Sequence, residues 1–146
     1  MLIHNISQLI TLSGTPQRGA DLGRLGIIPD GAVLVEGETI AVTGSSADLL
    51  AKYPHEERLD AGGMAVLPGF VDPHTHLVWA GDRAAEFEMR LQGKTYMEIM
   101  AAGGGIASTV KATREAPPDE LYNQTKTRAN GLFRNGTTTA EAKSGY

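Results

Sequence analysis

Two short apolar or β-branched runs, Ala65–Val71 and Thr137–Ala142, enclose a long stretch of helical periodicity, and this order leaves few folds open. Strands joined by a helical crossover pair in parallel, and the crossover is right-handed in nearly all such units. Between the runs, residues 84–91, 95–102 and 107–115 read as helices, with Gly103-Gly104-Gly105 interrupting them. Pro117-Pro118-Asp119 is a strong helix start, with proline in the first turn and an acid at the positive end of the helix dipole. Leu121, Thr125, Ala129 and Leu132 then fall on one helix face, and Gly136 stops the helix before the second strand. Strand, helical crossover and strand predict the beginning of an α/β barrel.

The first 64 residues have a different character. Leu2 to Leu12 reads as a strand and 16–29 as an irregular, glycine-rich connection. Ala32–Val35 and Thr39–Val42 flank Glu36-Gly37-Glu38, a hairpin signal with glycine at the tight position. Ser45 and Ser46 precede a short helix over Ala47–Ala51 that ends before Pro54. The expected division is therefore a β-rich segment over 1–64 and a barrel segment over 65–146.

The first barrel run ends in Asp72-Pro73-His74-Thr75-His76. In extended backbone, residues i and i+2 point to one face, so the two imidazoles converge at the strand end. Two neutral ring nitrogens there suit a divalent metal. The other histidines, His4 in the first strand and His55 in a polar loop, lack metal-site spacing and are read as structural. A catalytic zinc-type site takes at least three protein ligands and an open position, and this chain supplies two. An eight-fold barrel takes about 250 residues, while only about 80 of the chain's 146 follow residue 65. The expectation is the N-terminal third of a longer enzyme, truncated after the second barrel strand and inactive alone.

The context of the paired histidines resembles the first barrel strand of the amidohydrolase superfamily. Further strings resemble the imidazolonepropionases within it: Leu67 to Val78, Gly81-Asp82-Arg83, the glycine triplet with Ile106, Ser108-Thr109-Val110 and Thr113-Arg114, and Gly136 to Tyr146. The likeness covers essentially the whole chain, departing at Trp79, where phenylalanine is common. It implies that residues 1–64 are the N-terminal part of a small β-sandwich (composite) domain and that 65–146 begin a (β/α)8 barrel. It implies one divalent metal, zinc or iron, on His74 and His76, and Arg83 and Tyr146 as substrate ligands. A guanidinium in the loop after the strand is suited to grip a carboxylate with two parallel hydrogen bonds. The implied reaction adds water to 4-imidazolone-5-propanoate and opens its ring to N-formimidoyl-L-glutamate in histidine degradation. A later His and Asp, beyond Tyr146, would complete the site, so no catalytic acid or base is expected within the chain. Asp72 is left to bond a backbone group or orient an imidazole. Glu141 and Lys143 stand where some relatives place metal-site residues, but one metal argues against a ligand role for them. The glycine triplet lacks the Lys-Ser/Thr continuation of a phosphate loop and reads as a flexible loop near the pocket.

Composition narrows the alternatives. A formal charge of −4 and no Lys/Arg run give no reason to expect nucleic acid. No cysteine means no disulfide and no thiolate metal site, and fits a reducing cytoplasm. Met1–Leu12 lacks the basic start of a signal peptide, and no apolar run approaches the roughly 20 residues needed to span a membrane. The expected partner is the small-molecule substrate, and a homodimer is compatible with the whole enzyme. Another cyclic amidohydrolase or aminohydrolase is the alternative enzyme. A non-catalytic scaffold of the same fold would be expected to lose one of the paired histidines, and both are present.

Overall fold

Strand β1 (Leu2–Ile10) organises the first half of the chain. It pairs antiparallel with β2 (Ile27–Glu36), which forms a hairpin with β3 (Thr39–Ser45) around Gly37. On its other side β1 pairs in parallel with β4 (Arg58–Asp60) and with β5 (Ala65–Val66). A short 3-10 turn, Gly19–Asp21, occupies the irregular connection. Helix α1 (Ser46–Lys52) starts where Ser45 Oγ accepts the Asp48 amide, a side-chain cap worth about 1 kcal/mol. Alternation along β2 sends Ala32 and Leu34 to one face, with Leu2 and Leu49 of α1, and Val33 to the other, with Ile6, Leu9 and Ala61. Strict alternation would put Leu2 and Ile6 together. A bulge between Ile3 and Ile6, with Asn5 at φ 57°, separates them into different clusters.

The computed structural model describes residues 1–14 and 16–143, in two units that meet between Pro68 and Gly69. The boundary lies four residues beyond the expected one. Ala65 and Val66 continue the first sheet by pairing with Gln8 and Leu9, so the apolar run is shared between two sheets. The described residues of the first unit form one mixed sheet, with helix α1 packed on its Leu2 face.

The second unit is mixed α/β. Strand β6 (Phe70–Thr75) pairs in parallel with β7 (Thr137–Ala142), from Phe70 opposite Thr137 to Thr75 opposite Ala142. Gly69 lets β7 approach, because a Cβ at this position would collide with the Thr138 side chain. Between the strands run α2 (Ala84–Leu91), α3 (Tyr96–Ala101), α4 (Ile106–Glu115) and α5 (Pro118–Arg134). Thr95 and Glu98 close a reciprocal capping box on α3. On α5 the covered face is Leu121, Gln124, Thr125, Arg128 and Leu132, while Ala129, expected on it, is exposed. Among the described residues, Ala80 and Ile99 are the only buried apolar side chains of this unit, and Val71 of β6 is 66% exposed.

Candidate metal centre and adjoining pocket

His74 is the penultimate residue of β6 and His76 the first residue beyond it. Their ring centroids are 5.8 Å apart with the planes tilted by 60°. Nitrogens about 2.0–2.1 Å from one tetrahedral ion would put two ring centres roughly 5 Å apart, close to the separation of these two rings. The donor chemistry fits a divalent metal. The strand end is held locally: Asp72 Oδ1 accepts the His74 amide at 3.1 Å. Thr75 Oγ1 donates to Glu141 O at 2.8 Å, and the Lys143 amide donates to Thr75 O at 2.9 Å.

Beside the histidines lies a cavity of about 500 Å³ lined by His76, Val78, Trp79, Arg83, Ile106 and Thr113, among others. The two walls come from the loop after β6 and from α4. They are joined where Thr113 Oγ1 accepts the Ala80 amide at 3.1 Å. Thr109 and Val110 also face this cavity, which places most of the motif after the glycine triplet on one wall. Asp82 Oδ1 accepts the Ala84 amide at 2.9 Å, turning the chain from this loop into α2.

Arg83 lies on the cavity wall with its side chain 43% exposed. Its Nε and Nη2 donate to Glu86 Oε2 at 2.8 and 2.5 Å. Glu86 is buried, with 6% of its surface exposed, and its Oε1 accepts the Gly105 amide at 2.7 Å. These bonds hold the Glu86 carboxyl below the usual glutamate range, the Arg83 guanidinium contributing most and the Gly105 amide adding to it, against the effect of burial. The same hydrogen bond raises Arg83 above the ordinary arginine value.

Arg128 of α5 holds the loop from the other side. Its Nη1 donates to Leu77 O and Trp79 O, both at 2.9 Å, and Nη2 donates to Gln124 Oε1 at 2.9 Å. Its guanidinium lies 3.5 Å from the centre of the Trp79 ring, a stacked cation–π contact. Burial pushes the Arg128 pKa down.

The structure thus brings His76 and Arg83 to one cavity, with His74 adjacent to His76. Tyr146 lies outside the described residues. Among those residues no group of three or more His, Asp or Glu side chains could hold an ion. Glu141 and Lys143 pair with each other at 2.7 Å on the exposed end of β7. His4 and His55 belong to the first unit. The glycine triplet is a built turn. Gly105 adopts φ 77°, ψ −159°, a region open essentially to glycine, and caps α4. A Cβ on Gly104 would press on Ile99 O at 2.9 Å. Sequence reasoning missed Glu86 and Arg128. The Arg83/Glu86 spacing of three on a helix start was a usable signal, as was the position of Arg128 four residues after Gln124 on the covered face.

Comparison with known proteins identifies the chain's relatives by sequence. The sequence model of the amidohydrolase family matches residues 57–140, and that of the bacterial imidazolonepropionase-like composite domain matches residues 31–55. The chain is 51% identical over 145 residues to an imidazolonepropionase of Herpetosiphon aurantiacus, covering 99% of this chain and 34% of that protein. It is 48% identical over 148 residues to that of Chloroflexus aggregans, covering all of this chain and 35% of the relative. It is 48% identical over 149 residues to that of Clostridium tetani, again covering all of this chain and 36% of the relative. The chain spans about a third of the length of the curated relatives it matches. No described helix is long and apolar enough to cross a membrane. With the family model matching more than half of its residues, the chain belongs to the amidohydrolase family.

Proposed function

We propose that this chain supplies the paired metal ligands and the carboxylate-binding arginine of an imidazolonepropionase. That enzyme adds water to 4-imidazolone-5-propanoate and breaks a ring C–N bond, giving N-formimidoyl-L-glutamate. The observation that carries this reading is the placement of His76 and Arg83 on one cavity, beside His74. It supports a substrate whose ring lies at the histidines and whose carboxylate lies at the guanidinium. His74 and His76 would hold one divalent ion, zinc or iron, through neutral nitrogens, with the remaining His and Asp contributed by residues outside these 146. The ion supplies Lewis acidity and an activated water. Arg83 fixes the propanoate end, and Val78, Ile106 and Val110 form an apolar wall that limits water around the ring. Tyr146 is assigned a hydrogen bond to substrate by family likeness. In this reading the first unit begins the composite domain, and β6 and β7 are the first two strands of the (β/α)8 barrel.

The test replaces His74 or His76 by Ala in the whole enzyme and measures metal content and imidazolonepropionate turnover together. Loss of one ligand is expected to weaken metal binding at least about 10-fold to 100-fold and to abolish turnover. A His76→Ala enzyme with full metal and full rate refutes the assignment. Wild-type turnover of a different cyclic amide, with none of imidazolonepropionate, moves the chain to another amidohydrolase activity.

A further inference from the structure

Glu86 is a buried carboxylate with three polar partners, and those partners belong to both walls of the cavity. Oε2 takes Nε and Nη2 of Arg83, while Oε1 takes the amide of Gly105, the residue that caps α4. One side chain therefore joins the arginine to the helix that carries Ile106, Thr109 and Thr113. The neighbouring glycine keeps this junction tight, since a Cβ on Gly104 would approach Glu86 Cδ to 3.2 Å. A guanidinium has two faces suited to a carboxylate: the side-on pair Nε/Nη2 and the end-on pair Nη1/Nη2. Glu86 occupies the side-on pair. Among the described residues Nη1 has no hydrogen-bond partner, and Arg83 lines the cavity.

We propose that Glu86 is a positioning residue: it locks the side-on edge of Arg83 to the Gly105 turn, so that Arg83 receives a substrate carboxylate end-on, through Nη1 and the outer N–H of Nη2. The inference rests on Arg83 being the carboxylate ligand and adds how it is oriented and what sets that orientation. A preset guanidinium loses less freedom on binding than a free one, so the benefit falls on carboxylate affinity more than on turnover. Glu86 touches neither substrate nor metal in this scheme.

The experiment uses the whole enzyme with Glu86→Gln, which keeps the size and the acceptor for Gly105 but removes the charge facing Arg83. Kinetics are run with imidazolonepropionate and with its methyl ester, which has no carboxylate to hold. The expected result is a rise of about 10-fold in KM for the acid with kcat changed less than about 3-fold, and no change in KM for the ester. Equal losses on acid and ester, or unchanged KM for the acid, overturn the proposal. Arg83→Ala separates the two readings: if it keeps wild-type KM for the acid, Arg83 is not the carboxylate ligand and the functional assignment of that residue fails. A second measurement does not depend on turnover. Propionate is titrated while the Arg83 Nε–H signal is followed by NMR. The Nε–H should stay slow to exchange with propionate bound in the wild type and become fast in Glu86→Gln. Fast exchange on propionate binding to the wild type would mean that the ligand displaces Glu86, and the proposal falls.

Discussion

Replacing Arg128 by Met should loosen the loop that carries Trp79 and leads to Arg83. The methionine stem retains much of the packing, so the loss isolates the guanidinium. Two charge-assisted bonds to Leu77 O and Trp79 O disappear, each worth about 1.5 kcal/mol net. The stacking on Trp79 adds about 0.5–1 kcal/mol at a half-exposed site. Water reaches the freed carbonyls in part, and Thr125 Oγ1 still lies 3.4 Å from Leu77 O, so the net cost should be about 2–3 kcal/mol. Arg128→Lys should recover less than half, because an ammonium neither stacks as a plane nor keeps the fork that bonds carbonyls and Gln124 together. Trp79 is the only tryptophan in these 146 residues, so its fluorescence reads this site once any tryptophan elsewhere in the whole enzyme has been replaced by phenylalanine. Urea unfolding followed by Trp79 emission should show a lower midpoint and greater acrylamide quenching already in the native baseline. A Met variant with unchanged midpoint and quenching would show that the loop is held by other contacts.

Leu34→Ala, at a side chain 1% exposed between β1 and α1, should destabilise the first unit by about 2–4 kcal/mol in urea or thermal melts, and a loss below about 1 would refute its place in the core. Glu86 and Asp60 both have depressed carboxyl values, Asp60 through the Gly62 amide first and the Asn5 side chain second. Their stabilising contributions are therefore complete above the ordinary values near 4.5 and 3.8 and are lost as pH falls through the lower folded values. Stability of Glu86→Gln should consequently show a shallower dependence on pH below about 4.5 than the wild type, and parallel curves would contradict the bonding described.

The helices were legible because their ends carry strong local chemistry. Residues 84–91 match α2 at both ends, and Thr95 and Pro117-Pro118 mark true starts. The parallel pairing of β6 with β7 followed from the length of the crossover. What misled was the run Ala65–Val71: an apolar string does not say which sheet takes each part, and pairing with Gln8 and Leu9 is a long-range fact. The same holds for the site. Paired histidines announce themselves by spacing, whereas Glu86 and Arg128 are charged residues of kinds that normally face water, and only tertiary contacts reveal them as buried or half-buried connectors.

The parallel pairing of β6 with β7 also bears on timing. Thr75 meets Glu141 across 66 positions, whereas the β2–β3 hairpin closes within a few. By loop-closure entropy alone the long contact costs roughly 2.5 kcal/mol more than the short one. During synthesis the first sheet can assemble while the crossover is still being made, but the histidine strand has no partner until β7 has emerged. Its exposed Phe70 and Val71 then form a sticky edge on the nascent chain. Slowing translation downstream of Ala142 should give β6 time to find β7, while slowing it just before Thr137 should prolong the interval in which chaperones are needed.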